Sequence, residues 1–161
     1  MADVVQQLST VPDADIHAMA EYLASFNDAA VQDHAAIADA TIERAARNQA
    51  TLLGPAQRLF DGSCAACHHE QAGPKLIGVN TPLALSTTMT ADSPDNLLHT
   101  ILNGIQQPAS PSLGFMPPFK QALDDAQIVD LVRYMRARFA PETPAWGNLD
   151  SRLKAARAAA H

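Results

Sequence analysis

Cys64-Ala65-Ala66-Cys67-His68 decides how this chain is read, because Cys64 and Cys67 are the only cysteines among its 161 residues. A Cys-x-x-Cys-His run is the sequence signal for covalent haem attachment. Both thiols add to the porphyrin's vinyl groups, and the histidine that follows binds the iron from one face. On a helical turn, residues three and four apart share a side, so Cys64, Cys67 and His68 can meet one porphyrin edge and its metal.

Two rival readings of the motif are weaker. A structural zinc site needs four ligands, commonly two cysteine pairs or a cysteine pair with a spaced histidine pair. No second cysteine pair exists, and downstream of His68 and His69 only the widely separated His99 and His161 remain. A thioredoxin-like dithiol would sit at the start of a helix within alternating strands and helices, an alternation this sequence lacks.

Composition points the same way. The chain is 47% hydrophobic but only 5% aromatic, rich in alanine and poor in β-branched runs, so it leans helical. A formal charge of −6 argues against nucleic acid as a partner. No stretch approaches the roughly 20 apolar residues of a membrane span. Residues 1–20 lack the basic start and apolar centre of an export signal. Haem of this type is attached after export, so the chain reads as a portion of something longer.

Along the chain, Gly54 and Pro55 open a short helix whose apolar side carries Leu59 and Phe60 and which leads into Cys64. Residues 69–92 show no sustained period and are punctuated by Gly73, Pro74, Gly78 and Pro82. Ser93-Pro94-Asp95 starts a helix that runs through Leu97, Leu98 and Ile101 and stops at Gly104. Residues 105–119 form a loop with four prolines and Met116. Asp124 with Gln127 makes a capping box, followed by Ile128, Leu131, Val132 and Met135 at the spacing of a packed amphipathic helix.

This order resembles that of a class I cytochrome c domain, and the resemblance covers about residues 51–140. It implies an all-α class I cytochrome c fold, helices wrapped around one covalent haem c, preceded here by an N-terminal helical extension. Gly-Pro-Lys-Leu-Ile-Gly at 73–78 is similar to the family's segment behind the haem-binding histidine. The resemblance implies that the Pro74 carbonyl accepts the other imidazole N–H, fixing the tautomer and raising ligand basicity. Phe60 and Tyr134 fall where the family crosses its first and last helices.

A low-spin electron carrier needs a sixth ligand, and methionine sulfur opposite histidine raises the reduction potential. Met19 and Met135 lie on helical apolar stripes and are expected in cores. Met1 is remote in sequence. Met116, in Gly-Phe-Met-Pro-Pro-Phe, sits in a proline-stiffened loop of the kind in which the family carries its distal methionine. It is the expected ligand, with Met89 as the weaker alternative lining the pocket. His69 and His99 are expected to face solvent.

Residues 13–23 (DADIHAMAEYL) can be laid over 125–135 (DAQIVDLVRYM) with four identities, Ile16 on Ile128 and Tyr22 on Tyr134 among them. A self-match of this kind signals tandem units. Residues 1–26 then read as the closing helix of a truncated preceding cytochrome domain, with Met1 in its distal-methionine position. Residues 27–50 read as an alanine-rich, partly helical linker, 51–140 as the haem domain and 141–161 as a tail in which Trp146 anchors either to the domain or to a partner.

Tandem modules of this kind resemble the multi-haem, typically three-domain cytochrome c subunits of bacterial periplasmic dehydrogenases. The resemblance implies one-electron transfer with no substrate chemistry of its own, one haem c per chain and a periplasmic location. The implied donor is a molybdopterin- or flavin-dependent catalytic subunit, and the implied acceptors are other haem domains, quinone or a terminal oxidase. The alternative, a peroxidase or gas sensor, needs an open distal site, which the Met-Pro-Pro loop opposes.

Overall fold

The computed structural model describes Val4 and residues 7–26, 33–49, 54–68, 82–106 and 115–159. Among these the order is α1 (Asp13–Ala24), α2 (His34–Gln49), α3 (Pro55–Ser63), α4 (Ala65–His68), two single 3-10 turns (Leu83–Leu85 and Thr87–Met89), α5 (Asp95–Asn103), α6 (Asp125–Phe139) and α7 (Leu149–Ala159). The expectations for Met1, His69 and Pro74 lie outside the described residues.

The longest buried element is α6. Its capping box is complete: the Gln127 N–H donates to the Asp124 carboxylate at 2.8 Å, and the Asp124 N–H donates to the Gln127 side chain at 3.0 Å. The box satisfies two N-terminal donors that the helix leaves unpaired. Ile128, Leu131, Val132 and Met135 are all buried, as their spacing predicts. The short helix α3, opened by Pro55, lies across α6. Phe60 has no exposed surface and packs 5.6 Å from the Tyr134 ring and 5.7 Å from that of Phe139.

Two segments do more than their sequences suggest. Helix α2, within the expected linker, packs on α6 and on the Leu83–Leu85 turn, burying Ala45. Its Asn48 amide donates to the carbonyls of Ala137 (2.6 Å) and Arg138 (3.2 Å), closing the C-terminal end of α6. The expected tail contains α7, which buries Leu149, Leu153 and Ala156 against α5 and α6. Trp146 is anchored to the domain: its indole N–H donates to the Ala91 carbonyl at 2.9 Å. The Arg136 guanidinium lies 4.1 Å over its ring. Buried Arg136 also donates to the carbonyls of Met89, Ala91 and Pro144, so one side chain ties the 89–91 segment to α6 and to the C-terminal region.

Helix α1 differs from α6 despite their matching sequences. None of its residues is buried, and Tyr22 and Leu23 are 66% and 65% exposed. Met19, expected in a core, is exposed as well. Among the described residues no helix packs extensively on α1, and its apolar side is left largely in solvent.

Replacing Trp146 with Ala should lower stability by about 3 kcal/mol, the usual cost of truncating a buried aromatic ring. It also removes the surface on which Arg136 is stacked. Urea denaturation followed by far-ultraviolet circular dichroism measures the loss; an unchanged midpoint would mean that the C-terminal segment does not hold the domain.

Candidate functional site

The haem-attachment motif is built directly onto the core. Helix α3 ends at Cys64, whose N–H donates to the Phe60 carbonyl at 2.8 Å. The chain turns there and continues as α4, with the N–H groups of Cys67 and His68 both donating to the Cys64 carbonyl at 3.1 and 2.9 Å. One turn therefore carries both thiols and the imidazole, four residues beyond the immobilised Phe60. Cys64 and His68 are half-buried, and Cys67 is exposed.

The cysteines are not bonded to each other. Burial, with a smaller contribution from Cys67, pushes the Cys64 thiol from 9.0 up to about 11. A reactive dithiol needs a lowered pKa to supply thiolate, so Cys64 has the opposite character to a redox cysteine. Among the described residues no group of three or more His, Cys, Asp or Glu side chains could hold a metal ion, so the zinc reading finds no ligand set there.

The methionine loop is fixed by backbone pairing. Met116 and Ile105 form an isolated antiparallel bridge: Ile105 N–H donates to Met116 O at 2.9 Å, and Met116 N–H to Ile105 O at 3.1 Å. Two residues after Pro117, the Phe119 N–H donates to Ile101 O at 2.9 Å, followed by Lys120 N–H to Leu102 O at 3.1 Å. The loop thus lies along the C-terminal end of α5. Met116 is half-buried against the core, whereas Met89 is 1% exposed, enclosed by protein in the apolar cluster. His99 is half-buried on α5.

Gly104 makes this approach possible. It was legible as a helix stop, and it does cap α5 with a φ of +65°, where side chains are strained. Its second role depends on chain segments distant in sequence. A Cβ at this position would overlap Met116 O and stand 2.7 and 2.8 Å from backbone atoms of Pro117 and Pro118. No sequence pattern announces that crossing, and the same holds for the Ile105 partner of Met116.

An all-α bundle that carries Cys-x-x-Cys-His on the turn after its first core helix, with a methionine loop pinned ahead of its last, defines a class I cytochrome c domain. The family described as cytochrome c oxidase, cbb3-type, subunit III matches residues 53–135, and the chain belongs to it. A nicotinate dehydrogenase subunit from Pseudomonas putida is 40% identical over 158 residues, covering 98% of this chain and 13% of the relative. The cytochrome c subunit of quinone-type alcohol dehydrogenase from Gluconacetobacter polyoxogenes is 28% identical over 152 residues, covering 92% of this chain and 31% of the relative. The gluconate 2-dehydrogenase cytochrome c subunit of Pantoea cypripedii is 30% identical over 155 residues, covering 92% and 33%. This chain therefore spans at most a third of the length of these relatives. The function of the domain is electron transfer on haem c.

The Gly104→Ala variant should lose at least 1–3 kcal/mol, the range for a side chain held in a sparsely populated backbone region. The close approach to Met116 adds to that cost. Hydrogen exchange at the Ile105 and Met116 amides should accelerate more than exchange in α6. Uniform acceleration across the domain would show that Gly104 matters only to global stability.

Proposed function

We propose that this chain is a one-electron relay module of a multi-haem cytochrome c subunit. It carries one haem c, bound through thioether links to Cys64 and Cys67 and held axially by His68 and Met116. The Pro74 carbonyl supports the His68 imidazole. When bound, the haem would supply one-electron ferric/ferrous chemistry, with His68 and Met116 as the residues that would hold its iron. The protein's part is to hold the two ligand-bearing segments still and to exclude other ligands, so it carries out no substrate chemistry.

The observation that supports this best is the contrast between the two candidate methionines. Met116 stands half-buried in a loop tied on both sides by backbone hydrogen bonds. Met89 is enclosed by protein, with its own carbonyl taken by Arg136. An accessible sulfur and a rigid mounting favour Met116.

The likeness to dehydrogenase cytochrome subunits supports a dehydrogenase catalytic subunit, with a molybdopterin or flavin cofactor, as electron donor. Other haem domains, quinone or a terminal oxidase would accept, and the periplasm is the compartment. No described helix is long and apolar enough to cross a membrane. Residues 1–26 are the closing part of a preceding haem domain, which accounts for the apolar side that α1 leaves exposed.

Absorption spectroscopy of protein matured with a haem-attachment system tests the ligands. Met116→Ala should abolish the weak sulfur-to-iron charge-transfer band of the ferric form and lower the potential. If the band survives there and disappears in Met89→Ala, the ligand is Met89. A wild-type ferrous spectrum that shifts with carbon monoxide at neutral pH would favour an open distal site, as in a peroxidase or gas sensor.

Removing residues 1–26 should leave the haem spectrum and its stoichiometry of one per chain unchanged. A shifted spectrum or lost haem in the shortened protein would make α1 part of this haem's own pocket.

A further inference from the structure

We propose that Arg157, on the C-terminal helix α7, is a positioning residue for Met116 and holds the methionine loop closed. The inference rests on the reading of Met116 as the axial ligand. The loop has three sets of ties. The bridge to Ile105 fixes its start, and the hydrogen bonds of Phe119 and Lys120 to α5 fix its middle. Its end, between Lys120 and the cap of α6, is held from outside by Arg157.

The Arg157 guanidinium uses all three of its nitrogens there. Nη1 donates to the Lys120 carbonyl at 2.6 Å, Nη2 to the Leu123 carbonyl at 2.9 Å and Nε to the Asp125 carboxylate at 2.5 Å. Lys120 Nζ returns a bond to the Arg157 carbonyl at 3.3 Å. The Arg157 side chain is 24% exposed but Asp125 is 64% exposed, so solvent screens the ion pair and the two part-buried carbonyl bonds carry most of the hold. Arginine suits the place because its rigid fork reaches two carbonyls and a carboxylate together, which lysine cannot do. Leu149, Leu153 and Ala156 bury the inner face of α7 and so fix the base from which Arg157 reaches.

Three residues separate Met116 from Lys120, and two of them, Pro117 and Pro118, are stiff. A displacement at Lys120 is therefore passed back to the sulfur rather than absorbed between them. Without Arg157 the carbonyls of Lys120 and Leu123 lose the guanidinium bonds, and the segment is held less firmly on α5. The sulfur then leaves the iron more readily, and an outside ligand can take its place.

A second arginine of α7 provides the control. Arg152 donates to Ser93 Oγ at 3.0 Å and to both Asp95 oxygens at 2.8 and 2.7 Å. It carries the same charge and ties the same helix to α5, but at the opposite end of α5 from Gly104. Loss of either arginine should weaken α7 docking; only loss of Arg157 should loosen the methionine.

The test uses the full haem-loaded chain and two readouts: the pH at which the ferric sulfur-to-iron band disappears, and carbon monoxide binding to the ferrous form. Arg157→Gln should move band loss to lower pH and raise the carbon monoxide association constant about tenfold or more, the fold-change equivalent to one lost charge-assisted hydrogen bond. Arg157→Lys should recover part of the effect by keeping the contact with Asp125. Asp125→Asn, which leaves both carbonyl contacts, should shift the readouts less than Arg157→Gln. If Arg157→Gln does not fold, Arg157→Lys, which cannot reach both carbonyls, should still displace both readouts further than Arg152→Gln does; no difference between these two would overturn the proposal. Arg152→Gln should lower the unfolding temperature with both readouts near wild type. Equal displacement in Arg152→Gln and Arg157→Gln would overturn the proposal and reduce Arg157 to a general stabiliser. If Met116→Ala keeps the band, the ligand reading fails instead, and the two failures are distinguishable.

Discussion

The crossing of α3 and α6 at Phe60 is the constraint on which the rest of the molecule depends. Phe60 is shut between Tyr134 and Phe139, with the Arg138 guanidinium 4.9 Å from its ring centroid. Burying such a ring stabilises the fold by a few kcal/mol, but its larger consequence is geometric. Cys64 follows one helical turn later and hydrogen-bonds to the Phe60 carbonyl, and Cys67 and His68 bond in turn to Cys64. The position of the haem-attachment turn is inherited, bond by bond, from a single aromatic contact. On the other side, α6 begins at Asp124, and the segment that leads into its cap is the methionine loop. The turn with Cys64, Cys67 and His68 and the segment with Met116 thus flank the same pair of helices in sequence.

How much of this was legible depends on the range of the interaction. The capping box, Pro55 at the first turn of α3 and the stripe from Ile128 to Met135 are local patterns, and each gives its element directly. The motif residues needed only spacing. What sequence could not supply were crossings between distant segments: Gly104 under Met116, Asn48 on the end of α6, and Arg157 over Lys120 and Leu123. Each is a small or polar residue with an ordinary local explanation, and a helix stop or a surface amide gives no hint of its partner. Helix α7 is a different case. Leu149, Leu153 and Ala156 do follow a helical spacing, but three apolar positions among charges and alanines make a weak stripe. The proline-rich stretch before them resembles a departing tail.

Arginine accounts for much of what the apolar pattern missed. Arg136, Arg138 and Arg157 all have their guanidinium groups against backbone carbonyls, a tyrosine hydroxyl or aromatic faces. Such contacts let a small domain bind irregular segments that have no periodic structure of their own. The carbonyls of Ala91, Lys120 and Leu123 lie outside helices and that of Met89 ends a 3-10 turn, and guanidinium forks donate to all four. An arginine clasp is therefore this domain's substitute for regular secondary structure on both sides of α5.

Helices α1 and α6 separate helix formation from helix burial. Their sequences share an apolar spacing and a tyrosine at the same point, and both form helices. Tyr134 is 6% exposed and Tyr22 is 66% exposed. The difference lies in what crosses them: α6 has Phe60 and α3, while α1 has no counterpart among the described residues. Local sequence sets the helix and decides which side is apolar, but whether that side is buried is a property of the neighbour. Tyr22 packs edge-on against Phe26 of its own segment at 5.0 Å, and Leu23 is left in solvent. The two helices thus share an apolar spacing, and the packing of α3 on α6, with no described counterpart on α1, is what separates them.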